Sequence, residues 1–220
     1  MKISKEAVIV VDYQNDFANP GYKKKGIEKG SLYVNGGEKI VWYINNLITD
    51  VKSISGLIVS TQDWHPINHT SFAKNHRVDP FTMIWDEVKW PVHCVQNDTW
   101  SDFFPLLNTD EIDERVYKGF DKEKECYSGF WGSKLKFNEK GEIISVENSL
   151  NNILVMKEQK ILNILGLATD YCIEATVIDA IKNWFTVRLH IQWIAAVNAV
   201  AWDGDRAIER MRNMGAIIIS

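Results

Sequence analysis

The sequence of 220 residues is poor in cysteine, with three residues of this type and no Cys-x-x-Cys pair. They are Cys94, Cys126 and Cys172. An odd and sparse set does not make a disulfide framework, and without a paired motif a zinc site built from thiolates is not expected. By default each thiol is a small buried side chain, so any chemical role has to come from its position in the fold.

Long apolar runs and an excess of positive charge are also missing. The longest apolar runs, such as residues 7–11 and 216–219, are too short to span a bilayer. The formal net charge is -4 and the pI is about 5.8, which disfavours nucleic acids and membrane surfaces as partners. Residues 1–6 lack the apolar core of a targeting segment. We therefore expect a cytoplasmic protein.

No repeat and no linker rich in proline, glycine and serine divides the chain, so we expect residues 1–220 to form a single domain. Apolar runs typical of buried strands alternate with segments of helical periodicity. Strands are predicted at residues 7–11, 56–61, 115–118, 161–167, 186–191 and 215–219. Helices are predicted at residues 39–53, after residue 172 and at 204–213, and Gly141 is predicted to turn a hairpin. This alternation predicts an α/β fold, with a mainly parallel sheet of about six strands and helices on both faces in a Rossmann-like three-layer arrangement.

In such a sheet, ligands bind beyond the carboxyl ends of the strands, so the residues that follow the strands are candidates for chemistry. Asp12 closes the first strand, where an isolated aspartate is typical of a turn or helix cap. Lys118 closes the third strand. Its side chain is expected either to be solvated or to lie in a crevice, where it would stabilise anions.

Cys172 follows the strand at residues 161–167. Thr169 or Asp170 is predicted to cap the next helix, which places the thiol in the first helical turn, where free N–H groups and the helix dipole favour a thiolate. The face of that helix predicted to be buried carries Ile173, Val177, Ala180, Ile181 and Trp184.

A second group of candidates follows the second strand. Asp63 and His65 form an Asp-x-His pair, whose side chains point to the same side of an extended chain. Four of the five histidines lie at positions 65, 69, 76 and 93. Carboxylate and imidazole ligands together suit Zn²⁺, Fe²⁺ or Mn²⁺. A solvated polar loop is the alternative, but the clustering favours a metal site.

These candidates lie in short segments that occur together in one known family. The segments are Val-Asp-Tyr-Gln-Asn-Asp-Phe (11–17), Asp-Trp-His-Pro (63–66), Trp-Pro-Val-His-Cys (90–94), Lys-Gly (118–119), Tyr-Ser-Gly-Phe (127–130) and Ala-Thr-Asp-Tyr-Cys (168–172). With these segments in this order, the chain resembles the nicotinamidase branch of the isochorismatase-like cysteine hydrolases over nearly its whole length.

The resemblance implies a role for each matching position. The catalytic triad would be Asp12, Lys118 and Cys172. The metal ligands would be Asp63, His65 and His93, with His69 as a further candidate. The aromatic walls around the substrate ring would be Phe17, Trp90 and Tyr127. A cis peptide bond between Leu167 and Ala168 would aim the N–H groups of Ala168 and Cys172 at an oxyanion.

The resemblance also implies the reaction. Nicotinamide would be hydrolysed to nicotinate and ammonia through a thioester, with one divalent metal ion bound. Zinc is the expected metal, with iron and manganese as alternatives. In this interpretation nicotinamide is the small-molecule substrate and NAD is not a cofactor. We also expect the protein to be a homo-oligomer.

Two other classes of function are compatible with parts of the sequence. Another hydrolase of the same superfamily would act on an N-carbamoyl compound, a ureido compound or isochorismate, but the cysteine and the metal set together favour nicotinamidase. A non-enzymatic metal-binding or redox-sensing protein would leave Asp12 and Lys118 without a role. A dinucleotide-binding domain is disfavoured because no Gly-x-Gly-x-x-Gly turn follows the first strand.

Overall fold

The apolar runs predicted to be strands form the centre of one sheet. The computed structural model describes residues 4–21 and 28–220. In these residues the strands are, in chain order, β1 (Glu6–Val11), β2 (Leu57–Asp63), β3 (Thr82–Ile84), β4 (Glu87–Lys89), β5 (Glu114–Lys118), β6 (Ser133–Phe137), β7 (Ile143–Ser149), β8 (Ile161–Leu167), β9 (Thr186–Ala195) and β10 (Ile217–Ile219). The α-helices are α1 (Asn15–Ala18), α2 (Val41–Ser53), α3 (Ala73–His76), α4 (Leu150–Met156), α5 (Glu174–Lys182) and α6 (Asp203–Met214). Every predicted strand and helix is present, within a few residues of its predicted bounds.

The sheet has a parallel centre and an antiparallel margin. Eight strands are arranged in the order β10-β9-β8-β1-β2-β5-β6-β7, and β3 pairs with β4 in a separate hairpin. All pairings from β10 to β5 are parallel, whereas β6 pairs antiparallel with both β5 and β7. The six parallel strands confirm the predicted sheet, and the hairpin turned at Gly141, which has φ +77, extends it to eight. The β3–β4 hairpin is not among the predicted elements.

The direction of the connections places helices on both faces. The step from β1 through α2 to β2 moves to one side of β1, whereas the steps through α5 to β9 and through α6 to β10 move to the other side. Because parallel crossovers are right-handed, opposite directions put α2 on one face and α5 and α6 on the other. The chain therefore changes direction between β1 and β8, and the crevice outside their carboxyl ends is where a ligand is expected to bind.

β1 lies at the centre of the hydrophobic core. All five residues from Ala7 to Val11 are 0% exposed, as expected for a strand covered on both faces. The prediction for Trp184 is wrong. The helix α5 ends at Lys182, and Trp184 has φ +67 and is 92% exposed. The chain leaves the helical path before Trp184, so this side chain does not continue the buried face formed by Val177 and Ala180.

The longest α-helix in the described residues, α2, has 13 residues. Within this part of the chain, no helix combines the length and the apolar character needed to cross a membrane.

Candidate active site

Four candidate side chains from separate strand ends meet at the carboxyl edge of the sheet. Asp12 directly follows β1, Asp63 and Lys118 end β2 and β5, and Cys172 lies shortly after β8. These strands are neighbours in the sheet, so their parallel register brings the four ends together. Each residue is at most 7% exposed. One ligand atom from each of Asp12, Asp63 and Cys172 lies within 4.8 Å of the other two.

Lys118 is the cation at the centre of this cluster. Its Nζ forms ion pairs with Asp12 Oδ2, at 2.9 Å, and with Asp63 Oδ1. It also donates a hydrogen bond to the Cys126 carbonyl at 3.1 Å and lies 3.4 Å from Cys172 Sγ. Burial lowers the pKa of Lys118, but the two carboxylates outweigh burial and raise it well above its usual value. The buried ammonium is therefore available to stabilise a negative charge on the sulfur.

Burial raises the pKa of the Cys172 thiol well above its usual value. Lys118 opposes this rise, whereas Asp12 and Asp63 add to it. Burial and the two carboxylates therefore favour the neutral thiol over the thiolate. This differs from the expectation, based on its place near a helix start, that a thiolate would be favoured. A nucleophilic sulfur at this position needs a base beside it.

Asp12 is the carboxylate placed to act as that base. It has φ +44 and is 0% exposed. Thr61 holds it from the neighbouring strand: the Thr61 hydroxyl donates to Asp12 Oδ1 at 2.6 Å, and its oxygen accepts the Asp12 N–H at 3.2 Å. Burial raises the pKa of Asp12, although the Lys118 ammonium opposes it. A carboxylate whose pKa is raised is a better proton acceptor.

A single π-helical turn, Thr169–Ile173, presents Cys172 and leads into α5. The Leu167–Ala168 peptide bond before this turn is cis, as the resemblance implies. Ala168 and Cys172 both line the cavity described below. An oxyanion hole formed by their N–H groups stays a prediction.

The predicted cap of this turn is wrong. Ala168 occupies the N-cap position, and no side chain caps the turn. The Asp170 carboxylate instead accepts hydrogen bonds from the N–H groups of Val197, at 2.9 Å, and Asn198, at 2.7 Å. Asp170 therefore ties the turn that carries Cys172 to the segment that follows β9.

Two imidazoles face one oxygen of Asp63. The Nε2 atoms of His65 and His93 lie 3.7 Å and 3.9 Å from Asp63 Oδ2. His65 donates its Nδ1–H to the Gly119 carbonyl at 2.9 Å, and His93 donates its own to the Pro91 carbonyl at 2.8 Å. These bonds engage Nδ1 of both rings and leave both Nε2 atoms facing the cluster. Two oriented imidazole nitrogens and a carboxylate oxygen fit a divalent metal ion.

The charges in this cluster also suit a cation. Burial raises the pKa of Asp63, but Lys118, His65 and His93 together bring it well below its usual value. Burial and the neighbouring His65 lower the pKa of His93 to about 3. Burial lowers the pKa of His65, but Asp63 outweighs this and raises it. Asp63 is therefore an anion and His93 a neutral base, which are the protonation states that metal ligands require, whereas His65 has to release a proton when a metal ion binds.

His69 lies next to this cluster, but both of its ring nitrogens are engaged. Its ring centroid is 4.3 Å from that of His65. Its Nε2–H donates to the Lys124 carbonyl at 3.1 Å, and its Nδ1 accepts the Ser71 N–H at 3.1 Å and lies 2.7 Å from the Ser71 hydroxyl. Metal binding through His69 requires one of these bonds to break. Its role as a ligand stays a prediction.

A cavity opens onto the cluster. Its walls contain the predicted metal ligands and the three predicted aromatic residues, Phe17, Trp90 and Tyr127. The Trp90 indole N–H donates to the Tyr127 hydroxyl at 3.1 Å, which fixes two of these walls against each other. The Phe17 ring centroid lies 5.5 Å from that of His93, so the aromatic walls adjoin the metal cluster.

Four residues that line the cavity were not predicted: Leu32, Glu125, Tyr171 and Val197. Tyr171 directly precedes Cys172 and packs its ring edge-on against Trp90, with the ring centroids 4.7 Å apart. Its position in the 168–172 segment was a signal in the sequence that it belongs to the site. Glu125 accepts the Cys126 N–H at 2.9 Å. No feature of the sequence distinguishes it from the many exposed acidic residues.

Gln14 is a further residue whose role the sequence did not indicate, although it lies in the 11–17 segment. Its side chain pairs with the main chain of Asp63: Oε1 accepts the Asp63 N–H and Nε2 donates to the Asp63 carbonyl, both at 2.8 Å. Nε2 also donates to the Ser101 carbonyl at 2.7 Å. Gln14 therefore fixes the end of β2, which carries the first metal-ligand candidate.

The sequence and the fold of this chain are similar to those of known proteins. The family model of the isochorismatase domain matches residues 6–220. The chain belongs to the isochorismatase family. The nicotinamidase of Escherichia coli K12 is 32% identical over 216 residues, which cover 96% of this chain and 93% of that protein.

Solved structures give the same result. A nicotinamidase/pyrazinamidase from Acinetobacter baumanii superimposes with a TM-score of 0.82 and 28% identity, over 100% of this chain and 98% of that one. The pyrazinamidase of Pyrococcus horikoshii, solved in complex with zinc, has a TM-score of 0.75 and 33% identity, over 99% of both chains. The predicted α/β class is therefore confirmed for an isochorismatase-family enzyme.

Proposed function

We propose that this protein hydrolyses nicotinamide to nicotinate and ammonia through a thioester on Cys172. The main observation in support is that Cys172, Lys118 and Asp12 lie together beside a cavity. The candidate metal ligands Asp63, His65 and His93 line the same cavity. Identity of 32% to the E. coli nicotinamidase along almost the whole chain supports the same reaction.

The cavity suits a small aromatic amide. Phe17, Trp90 and Tyr127 offer apolar ring surfaces, and Cys172 and Ala168 line the same cavity. A ring held between the aromatic side chains, with its edge towards the metal ligands, brings a carboxamide on that ring towards the sulfur. Mainly apolar walls with a few polar groups are typical of small-molecule sites.

The first half of the reaction forms the thioester. Asp12 takes the proton from the Cys172 thiol, and the sulfur attacks the carboxamide carbon, so that the carbonyl electron pair moves to oxygen. The N–H groups of Ala168 and Cys172 stabilise this oxyanion, and each such donor contributes about 3 kcal/mol in well-studied enzymes. Asp12 then passes its proton to the nitrogen, the C–N bond breaks and ammonia leaves.

The second half releases the acid. Asp12, again a carboxylate, takes a proton from water, and the resulting hydroxide attacks the thioester carbon. The C–S bond breaks, and the proton returns from Asp12 to the Cys172 sulfur. Lys118 remains an ammonium throughout and stabilises the negative charge as it moves between the carboxylate and the sulfur.

We further propose zinc as the bound metal, held by Asp63, His65 and His93. The donor set suits zinc, and the P. horikoshii relative was solved with that metal. A bound divalent ion supplies a Lewis acid for a ring nitrogen or a water molecule. Asp63 links the two parts of the site, because Oδ2 faces the imidazoles and Oδ1 pairs with Lys118.

The decisive experiment measures ammonia release from a panel of nicotinamide, pyrazinamide and an N-carbamoyl amino acid. The unaltered protein with zinc is expected to act on nicotinamide. Cys172→Ala is expected to lower the rate by about 10⁴-fold or more, since the nucleophile is lost. The metal content, measured by elemental analysis, and the unfolding transition of this variant should match those of the unaltered protein, because Cys172 is not among the metal ligands.

Two results would contradict the proposal. Full activity of Cys172→Ala would remove the nucleophile assignment. Turnover of the N-carbamoyl compound in place of nicotinamide would instead indicate another amidohydrolase of the superfamily.

A further inference from the structure

A buried carboxylate outside the catalytic cluster joins separate segments of the cavity wall. Asp16 lies in α1 and is 4% exposed. Its Oδ1 accepts the Ser31 N–H at 2.8 Å and lies 2.8 Å from the Ser31 hydroxyl. Its Oδ2 accepts the Cys94 N–H at 2.6 Å. Donors from two distant segments therefore converge on one side chain.

Asp16 binds the main chain after His93, at Cys94, and Ser31 binds the main chain before it, at Val92. The Ser31 hydroxyl oxygen lies 2.6 Å from the Val92 carbonyl and 2.8 Å from Asp16 Oδ1, so its one proton is shared between two acceptors. Val92 and Cys94 flank His93 in the chain, and the main chain is thus held on both sides of this residue. Cys94 has φ +45, a conformation that a residue with a side chain keeps only where its surroundings fix it.

The joined segments carry three walls of the cavity. Phe17 follows Asp16, Leu32 follows Ser31, and both line the cavity together with His93. Gly30, which precedes Ser31, also packs directly on α1, since a Cβ on it would lie 2.3 Å from the Asp16 carbonyl oxygen. The hydrogen bonds of Asp16 therefore set the spacing between these walls.

We propose that Asp16 is a positioning residue for His93 and, through His93, for the bound metal and the substrate ring; this inference rests on the function proposed above. Loss of the carboxylate leaves the buried Cys94 N–H without its acceptor, and a buried donor left unpaired is costly. The segment around His93 is then free to shift, and Nε2 no longer faces Asp63.

Asp16→Asn tests the proposal, because asparagine has nearly the same shape but one acceptor oxygen. Whichever way the amide turns, an NH₂ group faces the N–H of either Ser31 or Cys94. Asp50→Asn is the matched control, since it removes the same charge from the exposed side of α2. The main measurement is the affinity for Zn²⁺ in competition with a chromogenic chelator. Circular dichroism reports the fold, and KM and kcat for nicotinamide are measured at saturating zinc.

We expect the zinc affinity of Asp16→Asn to fall about 10–100-fold, the range typical of residues that orient metal ligands. KM for nicotinamide should rise more than kcat falls, and Asp50→Asn should match the unaltered protein. A folded Asp16→Asn protein with zinc affinity within about twofold of the unaltered protein would overturn the proposal. Failure of the unaltered protein to bind zinc would overturn it as well.

If Asp16→Asn does not fold, Ser31→Ala decides the question. This change removes the hydroxyl and keeps the Ser31 N–H, so a severalfold loss of zinc affinity supports the proposal and an unchanged affinity overturns it. Zinc binding is measured without substrate. A failure of the proposed nicotinamide hydrolysis would therefore be seen separately, as absent ammonia release from a protein of normal zinc affinity.

Discussion

Gly119 lets the chain after Lys118 pass directly beside the imidazole of His65. It has φ +64, and a Cβ at this position would lie 2.3 Å from His65 Cε1 and 2.6 Å from His65 Nδ1. No side-chain carbon fits at that distance, so an alanine must displace either the ring or the main chain. A displaced ring loses its hydrogen bond to the Gly119 carbonyl and turns its Nε2 away from Asp63.

We expect Gly119→Ala to lower the free energy of unfolding by about 3 kcal/mol. A residue with a side chain in the left-handed region costs about 1–2 kcal/mol. Overpacking in a well-filled site costs a further 1–3 kcal/mol, approximately. Gly36→Ala is the matched control, because Gly36 has φ +81 and nothing within 4 Å of an added Cβ. The control therefore measures the backbone cost alone.

Denaturant unfolding of both variants gives the two free energies, and chelator competition gives the affinity for zinc. Gly119→Ala should lose about 1–3 kcal/mol more than Gly36→Ala. It should also bind zinc about 10–100-fold more weakly. If the two variants lose the same stability and bind zinc equally well, the Gly119 position does not constrain His65 and the reasoning is wrong.

Two other changes test the surroundings of the site. Thr61→Val removes the hydroxyl that donates to Asp12 Oδ1. Because the acceptor is a buried carboxylate, the free energy of unfolding, measured with denaturant, should fall by about 1.5–3 kcal/mol. A loss no larger than that of the exposed Thr49→Val would contradict this reasoning. Burial, and to a lesser extent the charge of Arg188, lowers the pKa of His190 to about 4, whereas its pKa in the unfolded chain is about 6.5. The unfolded state therefore binds the proton first as the pH falls, so the stability that the neutral His190 contributes is complete above pH 6.5 and is lost between roughly pH 6.5 and 4. His190→Gln should flatten that part of the stability curve, and an unchanged slope would count against the assignment.

Much of the fold could be predicted from the sequence because the central strands are buried on both faces. A run such as residues 7–11 then contains apolar residues without interruption, and its length distinguishes it from a helix. The exceptions lie where tertiary structure decides. The hairpin of β3 and β4 has exposed residues such as Met83, which is 58% exposed, so its sequence carries no continuous apolar signal. The end of α5 depends on the left-handed conformation of Trp184, which a helical pattern does not reveal.

Asp12, Asp63, Lys118 and Cys172 could be predicted from the sequence because each stands at or near a strand end, and a parallel sheet brings strand ends together. The aromatic residues of the cavity and the role of His93 came instead from the resemblance. Residues that act through longer connections were missed. Glu125 reaches the cavity from a loop after β5, and Gln14 acts by pairing with the main chain of Asp63. The wrong cap at Asp170 has the same cause, since its partners, Val197 and Asn198, are distant in sequence.

The burial of Cys172 changes the account of how its thiol is activated. The helix start alone favours a thiolate, but burial and two carboxylates hold the thiol neutral. Moving the proton from Cys172 to Asp12 does not change the number of charges in the cluster, because one negative charge passes from a carboxylate to sulfur. Asp12 Oδ2 and Cys172 Sγ both lie within 3.4 Å of Lys118 Nζ, so the same ammonium stabilises the negative charge before and after the proton transfer. Burial raises the pKa of Asp12 and of Cys172, so its effect largely cancels when the proton moves from one to the other. This cancellation requires the base to lie beside the thiol, as Asp12 does.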